Sequence, residues 1–193
     1  MLTFLLGIAL FFGPHSYSAF RSRRPTHDLR ARRELPYMVV YSLLSLVGLV
    51  LIARGYQAME AGADLYTGPD WAWIVSAVLM WPAFILFAAG NGPGGHIRHA
   101  VGYPMVLGTA IWAGVHLLGG ATGRQLLLFG PFFLWAVADY ALARRRPRPS
   151  EPPRAVADAA AIGLGTLSYL IFILYAHAAW IGASPIGQPS PIG

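Results

Sequence analysis

The stretch WAWIVSAVLMWPAFILFAA, residues 71–89, holds no charged side chain. As a helix rising 1.5 Å per residue it would reach about 28 Å, close to the ~30 Å hydrocarbon core of a bilayer. Inside that core no water satisfies backbone N–H and C=O groups, so a crossing segment must bond them internally, as a helix does. Comparable apolar runs lie at 1–20, 36–57, 100–119, 124–143 and 156–181. The chain therefore reads as an all-α polytopic membrane protein, a bundle of about six transmembrane helices. Composition agrees: 56% of residues are hydrophobic and 11% charged, against about 25% charged in soluble domains, and the mean hydropathy is +0.53. One transmembrane domain is expected over 1–183. The tail at 184–193, with its repeated SPIG, is expected to be flexible.

The charges report topology. The chain has no cysteine, and all 14 basic residues are arginine. Disulfides, thiolate metal sites, cysteine nucleophiles and lysine chemistry are thereby excluded. The net charge of +6 is not a nucleic-acid signal, because the arginines flank apolar spans. Arg21, Arg23, Arg24, Arg30, Arg32 and Arg33 fall in the first loop and Arg98 in the third. Arg144, Arg145, Arg146, Arg148 and Arg154 fall in the fifth. The opposite loops carry only Arg54 and Arg124, with Glu60, Asp64 and Asp70. The positive-inside rule puts the Arg-rich loops in the cytoplasm and both termini outside, in the periplasm for a bacterial inner membrane. The first span lacks a basic n-region and a small-residue cleavage pattern, so it reads as a retained helix. The fifth loop, RRRPRPSEPPRA, reads as an extended tether.

Ionisable side chains inside spans are costly and mark candidate sites. Here they are His15, His116, His177 and Asp139, with Arg54 at a span end. Asp139 lies about one turn before Arg144 and reads as an interfacial carboxylate; Arg54 can snorkel outward. His15 follows Pro14 in the most polar part of span one, toward the cytoplasm. His116 and His177 both lie late in spans running from inside to outside, and so share a depth near the outer leaflet. Two neutral imidazoles on separate helices can ligate a haem iron axially; equally, two interfacial histidines can anchor helix ends. His96 and His99 lie in the Gly-rich loop NGPGGHIRHA, with no carboxylate nearby in sequence, and read as solvated. No phosphate loop and no G-x-S-x-G elbow exists.

The segments GPHSYSAF (13–20), YSLLSLVGLVLIARGY (41–56), WPAFILFAAGNGPGG (81–95), VGYPMVLGTAIWAGVHLL (101–118), LLLFGPFFLWAVADY (126–140) and AHAAWIG (176–182) together resemble the NnrU family of bacterial membrane proteins. That resemblance implies a role in denitrification, in expression or maturation of nitrite and nitric oxide reductases. The family is also related to the plant 15-cis-zeta-carotene isomerase, which carries haem b. The relationship implies that His15 and His116 match iron-ligating segments and that an apolar substrate is acted on. The expectation is haem b centred on His116, with His15 favoured as partner by resemblance and His177 by depth. The expected surroundings are the lipid bilayer and a reductase or other membrane subunits, without nucleic acid. A non-catalytic accessory or structural subunit is the alternative.

Overall fold

The computed structural model of the protein describes residues 1–20, 28–144 and 152–186. Arg21, Arg23, Arg24, His27, most of the proline-rich fifth loop (145–151) and the tail from 187 onward lie outside the described residues. The described chain forms two units, Met1–Ala61 and the remainder from Gly62.

The first unit is a helical hairpin: α1 (Leu2–Phe20), the single turn α2 (Leu29–Arg32) and α3 (Glu34–Gln57). The Asp28 carboxylate accepts from the Arg30 N–H at 3.0 Å and caps α2. α1 and α3 pack along their length, although neither has a polar face to turn outward. Lipid is as apolar as leucine, so close backbone approach replaces the hydrophobic effect as the packing force. Gly48 shows how close: a Cβ there would lie 2.6 Å from the Phe11 nitrogen. Phe4 and Ile52 are buried in the same seam. Gly48→Val is expected to destabilise the hairpin by about 1–3 kcal/mol through overpacking. Thermal unfolding in detergent checks this; an unchanged Tm would mean the two backbones do not meet there.

The second unit begins with β1 (Asp64–Thr67), α4 (Ala72–Asn91), α5 (His96–Val101) and α6 (Pro104–Leu118). It continues through β2 (Gly120–Thr122), α7 (Gly123–Ala143) and α8 (Ala155–Ile171), which runs through a π-helical turn, Phe172–Ala176, into α9 (His177–Ile181). α4 packs against α6 and α8, and α6 against α7. The fully buried positions Ala83, Ala113 and Ala136 are small, as lipid-embedded interfaces require. Tyr169 and Trp81 add polar ties between α4 and α8. The Tyr169 hydroxyl donates to the Ala77 carbonyl at 2.8 Å, and the Trp81 indole to Thr166 Oγ1 at 3.0 Å. Trp81 directly precedes Pro82, whose ring removes one N–H from the α4 ladder. Large residues such as Leu134 and Leu174, each 69% exposed, cover the outer faces, as expected where lipid is the solvent.

Among the described residues five helices are long and apolar enough to cross a membrane: α1, α3, α4, α7 and the continuous run Ala155–Ile181. The protein is an all-α polytopic membrane protein. The fourth span differs from its expected 100–119. The helix starts at Pro104 and has only 15 residues, about 22 Å. Two local effects set this start. Gly102 ends α5 at φ +80°, a conformation open to glycine, and Tyr103 precedes a proline, which disfavours helical ψ. β1 and β2 pair antiparallel, and the Tyr66 hydroxyl donates to the Leu117 carbonyl at the end of α6. α7 starts with a capping box, Thr122 and Gln125 satisfying each other's backbone N–H groups. α5 takes its cap from far along the chain. Asp158, on α8, accepts from the backbone N–H of His96 at 2.8 Å and of Ile97 at 2.9 Å. The same carboxylate meets His96 Nδ1 at 2.7 Å.

Candidate functional site

His116 lies in the last turn of α6, with its ring half-buried. Its Nδ1 stands 2.7 Å from the Trp112 carbonyl, one turn back. A carbonyl only accepts, so Nδ1 carries the hydrogen, and the neutral ring keeps its lone pair on Nε2. Phe129 of α7 stacks on the ring at 4.4 Å and 19°, and Trp112 packs edge-on against Phe129 and Phe132. The imidazole is thus fixed in rotation and in tautomer.

His177 opens α9. Gly182 closes that helix in the left-handed region, φ +81°, the usual glycine stop. The chain then turns back, and the Ala183 carbonyl meets His177 Nδ1 at 2.6 Å. His177 therefore has the same tautomer as His116. The two ring centroids lie 6.5 Å apart, with planes 21° apart. Ligating histidines characteristically donate their other N–H to a carbonyl or carboxylate, as both do here. In donor chemistry, two neutral imidazoles each with an uncommitted Nε2, the pair suits a haem iron.

Both rings line a cavity of about 340 Å³, within the range of small-molecule sites. Its walls come from the turn before α4, from α4, α6 and α8, and from the π turn. Trp73, Met80, Phe84, Tyr169, Phe172 and Ile173 make it largely apolar. Every hydroxyl and imidazole in the lining gives its hydrogen to a backbone carbonyl. Ser76 donates to Val115 at 3.2 Å, Tyr169 to Ala77 and Ser184 to Ile186 at 2.9 Å. These groups can only accept from a guest. The side-chain donors left are the Trp73 indole and the Gln125 amide.

His15 belongs to the first unit. Its Nδ1 meets the Phe11 carbonyl at 2.6 Å; the ring stacks on Phe11 at 4.2 Å and tilts against Tyr41 at 5.0 Å. It has the tautomer of a ligand and sits in an aromatic cluster. Asp139 is buried, 8% exposed, one turn before α7 ends at Ala143. Arg54 is exposed in the last turn of α3, as snorkelling requires. His96 does have a carboxylate at hand, supplied by Asp158 from 62 residues away. Among the described residues no group of three or more His, Cys, Asp or Glu is placed to hold a metal ion.

Sequence reasoning missed Asp70, Trp73 and Tyr169 as wall residues. Trp73 and Tyr169 resemble ordinary span residues, and Asp70 an ordinary loop charge. Only the pairing of β1 with β2 brings the turn at Asp70 to the end of α6.

No curated protein and no solved structure matches the chain. The family model described as NnrU protein matches residues 3–185, from the first turn of α1 to just past the carbonyl that holds His177. With that match covering nearly the whole length, the chain belongs to the NnrU family.

Proposed function

We propose that this protein is a haem b protein of the bacterial inner membrane, in which His116 and His177 would hold the haem. The observation that carries the reading is the closeness of two imidazoles, 6.5 Å between centroids, each with Nδ1 committed to a carbonyl and Nε2 left to ligate. Trp112 and Ala183 supply those carbonyls and hold the tautomers. Phe129 blocks rotation of the His116 ring, and the apolar wall of Phe84, Phe172 and Ile173 suits a porphyrin face and keeps water out. When bound, haem supplies one-electron redox chemistry and a Lewis-acidic iron. The chain's own residues then orient an apolar guest for redox or isomerase chemistry in the cavity. Arginine placement supports cytoplasmic Arg-rich loops, periplasmic termini and a cavity near the periplasmic leaflet. Family membership supports a role in denitrification, in making or maturing nitrite and nitric oxide reductases.

The protein, expressed with ample haem and purified in detergent, is expected to show a Soret band. Dithionite should then produce the sharp visible bands of a low-spin b-type haem. A preparation without a Soret band sinks the reading.

A further inference from the structure

The cavity has a second chemical character, which concerns the protein without haem, because a porphyrin against Phe84 and Phe172 would occupy the same space. Among the described residues lining it, Asp70 carries the only formal charge. The chain has no lysine, and no arginine lines the space. Among the described residues, Asp70 has no ion-pair partner. Asp70 is exposed, and the lining also includes Trp73, 45% exposed, with Phe84, Tyr169 and Phe172. The hydroxyl and imidazole hydrogens all point to backbone carbonyls, so the polar wall offers mainly lone pairs.

A negative mouth, aromatic faces and an excess of acceptors select against anions. A neutral apolar guest would use the aromatic surface but leave the carboxylate idle. An ammonium group uses all three: the carboxylate by charge, the ring faces by their quadrupole and the lone pairs where it carries N–H. Trp73 and Asp70 come from one short turn at the start of α4, so charge and ring are presented together. We infer that the cavity binds an organic ammonium ion, with Asp70 and Trp73 recognising the cationic group and Phe84 and Phe172 its hydrocarbon body. The mouth is partly open and Trp71, beside it in the chain, is 53% exposed. The ammonium can therefore come from solution or from the headgroup of a lipid.

The test titrates the full-length protein prepared without added haem, in uncharged detergent, with choline, tetramethylammonium, dodecyltrimethylammonium and the neutral choline isostere 3,3-dimethylbutan-1-ol. Tryptophan fluorescence and calorimetry both read binding. The ammonium compounds are expected to saturate the protein and the neutral isostere to bind at least about tenfold more weakly. Asp70→Asn should weaken ammonium binding about tenfold while leaving any Soret band unchanged. Binding of tetramethylammonium as tight as that of the dodecyl compound assigns a soluble ligand; binding of the dodecyl compound alone assigns a lipid amphiphile. Equal binding of the neutral isostere, or an unaffected Asp70→Asn variant, overturns the inference. Loss of the Soret band in any preparation bears on the haem reading alone.

Discussion

His116→Ala is expected to abolish haem binding, His177→Ala to cost the low-spin spectrum, and His15→Ala to leave both intact. His116 is the better-held ligand. Its tautomer is set by Trp112, its ring plane by Phe129, and it sits on a helix packed against two others. His177 is held by Ala183, in the segment after a five-residue helix, so its loss leaves an iron with one strong ligand. Visible spectra of the ferrous and ferric forms read each state. Free imidazole should restore the low-spin bands in His177→Ala, because the ligand's place remains lined by Phe172 and Ile173. Haem lost in His15→Ala and kept in His177→Ala would assign the pair to His15 and His116 instead.

The π turn predicts an unequal response to two one-residue changes. His177 is eight residues after Tyr169, and both line the cavity. In a regular α-helix eight residues advance about 800°, leaving the two side chains about 80° apart. The π turn, in which the His177 N–H reaches back to the Phe172 carbonyl, absorbs about one residue of rotation and brings them to about 20°. Deleting Leu174, which is exposed, should turn this segment into ordinary α-helix with His177 still facing the cavity. The haem spectrum should survive. Inserting one alanine between Ala176 and His177 should rotate the ring by about 100° and remove it as a ligand. If the deletion abolishes the low-spin spectrum while the insertion spares it, the π turn does not set the direction of His177.

The helices were legible because apolar length is a strong signal and charge-free runs admit few other structures. The shared depth of His116 and His177 was also legible, since topology alone puts both near the ends of spans running the same way. Their closeness was not. Span six is apolar on every side, so its periodicity does not reveal which residues turn inward, and the π turn shifts the phase partway along. The short fourth helix was hidden because VGYPM is as apolar as the helix it precedes; the break lies in glycine and proline stereochemistry. The ribbon of Asp64–Thr67 with Gly120–Thr122 joins segments too short and too far apart for any local pattern. The cap on α5 was missed for the same reason: Asp158 stands in an alanine-rich helix start with no mark of its distant partner.

That cap has a consequence for biosynthesis. Asp158 follows His96 by 62 residues, so at about 5–20 residues per second it leaves the ribosome roughly 3–12 s later. Until then the N–H groups of His96 and Ile97 have no carboxylate to meet, and six residues cannot hold a helix alone. The NGPGGHIRH segment must therefore wait as uncapped chain while α6 and α7 are threaded into the bilayer. It closes only when the last span arrives, which makes the docking of α8 the step that completes this end of the protein.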